Sequence, residues 1–212
     1  MKPTRRIACA ATAAVVVLAL SGCGNQAGAA SVIGGTSIRD SEVVTAVDGV
    51  RTAAGPDNAA ALDQSAVTRA TVNRLTRHIL LDEAAARQGI VVTQAQVDDL
   101  IASTIKDGFA GDPVKFQQAL ATKSYVPTSD ISQFAHDVLV TQELTKKLAP
   151  GGDAVVQSEK LNAYLGPLGQ QMGVEIAPRF GTWSFKASTI GDLPNDLTLS
   201  PSQAATAAAT TP

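Results

Sequence analysis

Apolar side chains recur every three or four residues over most of the chain, the spacing typical of helices with one buried face. The clearest case is residues 65–88, where Val72, Leu75 and Ile79 share one face and Gly89 stands where a glycine commonly ends a helix. The same spacing predicts further helices over residues 40–54, 93–107, 114–122, 128–148 and 153–172. The pattern therefore predicts a mainly α-helical protein.

Local signals predict where several of these helices begin and where they are interrupted. Thr93 and Gln96 have the spacing of a capping box, in which each side chain satisfies a free backbone N–H of the first turn. Thr128 is likewise predicted to cap the helix that follows it. The Gly-Pro-Asp-Asn run at residues 55–58 is predicted to break the first helix, and the Gly-Pro pair at residues 166–167 to kink or split the last one.

Two short apolar runs have the character of strands rather than helices. Residues 31–33 end at Gly34-Gly35, which predicts a turn, and residues 174–176 alternate apolar and polar side chains. Two strands of three residues are not stable alone. We therefore expect them to pair with each other and to pack on the helices. The predicted fold is a helical domain closed by a small two-stranded ribbon that joins its N- and C-terminal ends.

The N-terminus has the pattern of an export signal. Three basic residues precede residues 7–20, a stretch without a charge that is shorter than the roughly 20 residues a membrane span needs. Its ending, Leu-Ser-Gly followed by Cys23, resembles the lipobox of bacterial lipoproteins. We therefore expect residues 1–22 to be cleaved and Cys23 to carry the lipid, which holds the protein at the extracytoplasmic face of the cell membrane. The alternative is an ordinary signal peptide with an incidental cysteine.

Composition divides the rest of the chain into three parts. Residues 23–30 are small and polar, which predicts a flexible tether between the lipid and the fold. Residues 31–186 contain the helical pattern and form the predicted domain. Residues 187–212 are rich in Ser, Thr, Ala and Pro and carry few large apolar groups, so we expect a disordered tail.

Charge and cysteine content exclude some functional classes. The chain has 17 Lys and Arg residues and 19 Asp and Glu residues. Three of the basic residues lie in the predicted signal, so the rest of the chain has 14 basic and 19 acidic residues and a side-chain net charge of −5. A domain with net negative charge lacks the basic surface that binds nucleic acid, so no nucleic-acid partner is predicted. Cys9 lies within the predicted signal and Cys23 is the predicted lipid site, so no thiol is left for a disulfide, a zinc–thiolate site or a nucleophile.

The remaining polar residues do not form a recognisable catalytic or metal-binding motif. His78 and His136 are the only histidines and lie on different predicted helices, where we interpret both as packed or half-exposed side chains. Asp98 and Asp99 point to different sides of a helix and have no His or Cys near them in sequence. We therefore predict no enzyme activity, no cofactor and no metal.

Apolar binding is the function that remains open to such a chain. Phe109, Phe116, Tyr125 and Val126 lie in or beside loops between helices, where an exposed patch could bind polypeptides. The alternative is that these four side chains complete the domain's own thin core.

Three stretches of the sequence resemble one family. Residues 30–43 read ASVIGGTSIRDSEV, residues 80–97 read LLDEAAARQGIVVTQAQV, and residues 174–181 read VEIAPRFG. In this order they resemble the opening, central and closing segments of SurA N-terminal domains and PrsA-like foldases, with Ala177 where the family has asparagine. The resemblance extends over residues 30–183.

This resemblance implies a chaperone that holds unfolded or secreted polypeptides through apolar contact. Full-length members insert a parvulin prolyl isomerase before their last helix, whereas only residues 149–160 separate Leu148 from Leu161 here. A domain needs about 50 residues, so we expect no isomerase activity. Two other functions stay open: a structural or scaffolding lipoprotein with one dedicated envelope partner, and an envelope hydrolase.

Overall fold

The computed structural model describes residues 28–191. The predicted signal peptide, Cys23 and the greater part of the predicted tether and tail lie outside these residues. Within residues 28–191, no helix combines the length and the apolar content that crossing a bilayer requires.

The described chain folds into seven α-helices and five short strands, which confirms the mainly α-helical prediction. In chain order the elements are β1 (Ala29–Ile33), β2 (Thr36–Arg39), α1 (Asp40–Ala54), α2 (Pro56–Ala61), α3 (Gln64–Gln88), α4 (Gln94–Gly108), α5 (Pro113–Lys123), α6 (Ile131–Leu148), α7 (Ala154–Gln171), β3 (Glu175–Ile176), β4 (Trp183–Ser184) and β5 (Thr189–Ile190). Short 3-10 turns precede α6 and follow β3.

The first and last predicted strands do meet. β1 pairs antiparallel with β3, with Ser31 opposite Ile176. The expectation of a two-stranded ribbon was wrong, however, because β2 pairs with the other edge of β1 and gives a three-stranded sheet of order β2-β1-β3. The β1–β2 hairpin turns through Gly34 and Gly35, which both have positive φ (57° and 80°), the conformation that a two-residue hairpin favours.

The folded domain extends beyond both of its predicted boundaries, residues 31 and 186. Ala30, assigned to the tether, lies in β1 and is completely buried. At the other end, β5 lies inside the predicted tail and pairs with β4, and Ile190 is only 9% exposed. Asn73 on α3 fixes this hairpin, because its Oδ1 accepts hydrogen bonds from the Thr189 hydroxyl and the Ile190 backbone N–H, both at 2.9 Å.

Most helix ends follow the local signals. Thr93 and Gln96 form the predicted capping box at the start of α4, and Gly89 ends α3 in the left-handed conformation, with φ of 63°. The break predicted at residues 55–58 does occur, because α1 ends at Ala54 and Gly55 has a φ of 80°. The short helix α2 then begins at Pro56, which has no N–H to satisfy and a φ suited to a helix. Thr128 begins a 3-10 turn rather than capping α6 directly.

Helix α7 is continuous, with Pro167 inside it. Of the predicted kink or split at Gly166-Pro167, the split does not occur. Tertiary packing explains the continuity: Gly166 and Leu168 are buried on either side of the proline, and the lost backbone hydrogen bond is outweighed by that burial.

Buried side chains form two separate clusters. The larger, which we call the main core, joins the sheet to α1, α3, α6 and α7 and contains the completely buried Val50, Leu80, Val140 and Leu165. The smaller, which we call the second core, lies between α4, α5 and the start of α6 and consists of Phe116, Val126 and Ile131 with partly buried neighbours.

Candidate functional site

The first candidate site is an open groove of about 530 Å³ between β2, α1 and α3. Its floor is apolar and consists of Ile38 from β2, Ala46 from α1, and Leu75 and Ile79 from α3. Its rim is polar and includes Ser41, Glu42, Thr45, Ser129 and Gln133. The groove thus combines apolar contact area with uncharged hydrogen-bonding groups, the carboxylates of Glu42 and Asp130, and the imidazole of His78.

The sequence produces this groove through the periodicity of α1 and α3. Along α1, Val43, Val47 and Val50 point into the main core, which leaves Thr45 on the exposed side. The small side chain of Ala46 then faces α3 where a larger residue would fill the space. On α3 the predicted apolar face extends past the core to Leu75 and Ile79, which stay half-buried and line the groove.

The four residues predicted to bind polypeptides do not form one exposed patch. Phe116 is 6% exposed and Val126 completely buried, both in the second core. Phe109 is half-buried and packs edge-on against Phe116, with ring centroids 5.4 Å apart. Tyr125 is half-buried against the main core instead. The expectation of surface exposure was therefore wrong for Phe116 and Val126, whose side chains complete the domain's own packing.

A second candidate site lies where α3 and α6 pack side by side, and it contains both histidines. His78 Nδ1 is 2.7 Å from Asp137 Oδ1, and His78 Nε2 is 3.3 Å from Asp82 Oδ2. His136 Nδ1 is 3.6 Å from Asp137 Oδ1 and 3.8 Å from Asp82 Oδ1. We call these four residues the His/Asp cluster. The structure thus joins two histidines that the sequence assigned to unconnected positions.

The sequence contained part of the signal for this cluster. His78 and Asp82 are four residues apart and so share a helix face, and His136 is next to Asp137. The pairing of α3 with α6, which brings the two halves together, spans 59 residues along the chain and follows from no local pattern.

The electrostatics of the cluster favour positive charge on His78. Burial alone would lower the pKa of His78, but the hydrogen bond and negative charge of Asp137, together with the charge of Asp82, outweigh burial and the opposing charge of Arg74, so the pKa is raised. Burial lowers the pKa of Arg77, and the charge of Asp137 partly offsets this. Asp137, only 8% exposed, therefore interacts with positive groups on α3.

Comparison with known proteins gives one match. The family model described as SurA-like N-terminal domain matches residues 4–163, about three quarters of the chain. No curated protein matches the chain, and neither does any solved structure.

Proposed function

Because the chain belongs to the family of SurA-like N-terminal domains, we propose that it is a chaperone-like lipoprotein that binds unfolded or secreted polypeptides at the extracytoplasmic face of the cell membrane. The family is a chaperone-like, non-catalytic one. The proposal adds that the protein is anchored through a lipid on Cys23 and that it binds its clients by apolar contact without isomerising their prolines.

The groove between β2, α1 and α3 is the observation that carries the polypeptide-binding part of this proposal. Its floor of Ile38, Leu75 and Ile79 offers apolar contact that does not depend on a particular client sequence. The hydroxyl and amide groups on its rim, among them Thr45 and Gln133, can hydrogen-bond to the backbone of an extended client. A site of this kind favours broad binding over the recognition of one shape.

A test of the groove compares two variants with a matched control. Thr45→Arg places a long, charged side chain over the groove, and Leu75→Ala removes part of the apolar surface that forms the floor of the groove. Ser103→Arg is the control, because Ser103 is also an exposed helical residue whose hydroxyl donates to a carbonyl in the preceding turn. We expect the wild-type protein and the control to suppress light scattering by reduced, guanidinium-denatured lysozyme on dilution, and the groove variants to suppress it several-fold less.

Two outcomes would contradict the proposal in different ways. If the wild-type protein leaves aggregation unchanged at a several-fold excess over client, the protein has no general chaperone activity. If crosslinking in cells then traps a single partner rather than many secreted chains, the protein is a scaffolding lipoprotein with a dedicated envelope partner. Equal suppression by both groove variants and the control would place client binding elsewhere on the domain.

A further inference from the structure

The His/Asp cluster has the composition and spacing of a transition-metal site. His78 and Asp82 on α3, and His136 and Asp137 on α6, each offer one ligand atom, and these four atoms lie within 4.8 Å of one another. Two imidazoles and two carboxylates form a ligand set that suits Zn²⁺ and related first-row cations, whereas Ca²⁺ and Mg²⁺ prefer oxygen ligands alone.

Distances within the cluster agree with a shared central ion. Zinc binds imidazole nitrogen and carboxylate oxygen at about 2.0–2.2 Å, so the ligand atoms of a tetrahedral site lie about 3.3–3.5 Å apart. The separations from His136 Nδ1 to the two carboxylates are 3.6 and 3.8 Å, and His78 Nε2 is 3.3 Å from Asp82. The four ligand atoms all lie within 4.8 Å of one another, so side-chain rotations that move them by about 1 Å would give tetrahedral coordination.

An unsatisfied nitrogen gives independent support. His136 Nδ1 is shielded from solvent and has no hydrogen-bond partner among residues 28–191, although it faces two carboxylates. A buried polar atom without a partner costs free energy, which a bound cation would recover. From these observations we propose that His78, Asp82, His136 and Asp137 bind one divalent transition-metal ion of the Zn²⁺ class.

The cluster is accessible to an ion and is electrostatically suited to one. The Asp82 side chain is 49% exposed and that of His136 30%, so an ion can enter from the Asp82 side. With both imidazoles neutral, the two carboxylates supply a charge of −2 that a divalent ion balances. The two guanidinium groups that interact with the cluster have other partners: Arg74 Nη2 lies 2.8 Å from Asp130 Oδ2, and Arg77 Nη1 donates to the carbonyl oxygen of Ser188 at 3.3 Å. This proposal does not depend on polypeptide binding.

The test is zinc titration of the purified, metal-free full-length protein by isothermal calorimetry, after its cysteines have been alkylated so that thiols cannot bind the metal. We expect one ion per chain with a dissociation constant in the micromolar range or below. His136→Gln and Asp82→Asn should each weaken binding at least tenfold. Asp98→Asn, which removes an exposed carboxylate from α4, should bind zinc as the wild type does.

Two further measurements separate loss of a ligand from loss of the fold. Circular dichroism should show the same helix content for all four proteins without metal, since Asp82 and His136 are the more exposed members of the cluster. Zinc should raise the melting temperature of the wild type and of Asp98→Asn but not of the ligand variants. Absence of saturable one-to-one binding in the wild type, or undiminished binding in a folded His136→Gln protein, would overturn the proposal.

Discussion

At the scale of single residues, the proposed lipid anchor on Cys23 can be tested directly. If its thiol carries the lipid, Cys23→Ser should abolish labelling with a radioactive fatty acid and move the protein from the membrane fraction to the soluble or secreted fraction. Cys9→Ser is the matched control, because Cys9 lies inside the predicted signal and should leave labelling and fractionation unchanged. A Cys23→Ser protein that stays with the membrane would favour an ordinary signal peptide and another mode of attachment.

Asp112 provides a second residue-scale prediction, on stability and pH. Its carboxylate accepts hydrogen bonds from the backbone N–H groups of Lys115 and Val114 at the start of α5. These bonds, the one from Lys115 foremost, lower the pKa of Asp112 below its unfolded value. The stabilisation is therefore present above about pH 4 and is lost as the pH falls through the lower folded-state pKa.

We expect Asp112→Ala to unfold at a lower urea concentration than the wild type at pH 7, with a difference that shrinks below about pH 4 as the wild-type carboxylate is protonated. Asp112→Asn is the control. Asparagine caps helices about as well as aspartate but does not titrate, so this variant should keep most of the stability at pH 7 without the pH dependence. A difference between Asp112→Ala and the wild type that stays constant from pH 7 to pH 3 would contradict the pKa argument.

At the scale of elements, the packing of the C-terminal segment on α7 can be tested with two glycines. A Cβ added at Gly166 would clash with the backbone carbonyl oxygen of Phe185, whereas one added at Gly169 would meet the Phe185 ring at an ordinary contact distance of 3.4 Å. Alanine is favoured over glycine inside a helix by about 1 kcal/mol, so sterics and helix propensity oppose each other only at Gly166.

Gly166→Ala should therefore lower the midpoint of urea unfolding, while Gly169→Ala should leave it unchanged or raise it slightly. Chemical denaturation followed by circular dichroism measures both. If Gly166→Ala is as stable as Gly169→Ala, the segment around Phe185 does not pack on α7 as the structure shows.

The elements that the sequence predicted correctly are those with local causes. Gly89 and the Thr93–Gln96 capping box fix the end of α3 and the start of α4 through contacts within a few residues. Three strands were missed: β2 pairs with β1 across the Gly34-Gly35 hairpin turn, whereas β4 and β5 need each other and the side chain of Asn73 on α3. Their sequences are too short and too polar to predict a strand without those partners.

The candidate sites were harder to predict for the same reason. Whether an apolar side chain in or beside a loop is covered depends on the neighbouring helices, so Phe116 and Val126 could not be assigned to a core before the packing of α4, α5 and α6 was known. The His/Asp cluster likewise requires the pairing of α3 with α6. The apolar floor of the groove was partly predictable, since Leu75 and Ile79 already stood on the apolar face of α3.

At the scale of the whole molecule, the two cores differ in how firmly they hold their helices. The main core ties the two ends of the domain together, and Arg179 adds to this by pairing with Asp40 and donating to the carbonyl of Ala29. Helix α4 buries only Val97, and the second core that it helps to form has three buried side chains. Regions with few buried apolar contacts open at lower free energy than the rest of a domain.

This difference predicts sub-global opening of α4 and α5, which would transiently expose Phe109, Phe116 and Val126. In hydrogen–deuterium exchange with mass spectrometry, peptides from α4 should exchange well before those from α3, whose side chains Val72, Leu80 and Ala84 are completely buried. Removing volume from the second core should accelerate this exchange selectively: replacing the half-buried Leu120 by Ala should speed exchange in α4 and α5 and leave α3 unchanged. If α4 and α3 exchange together under all conditions, the two cores unfold as one unit, and the aromatic residues reach a client only when the whole domain unfolds.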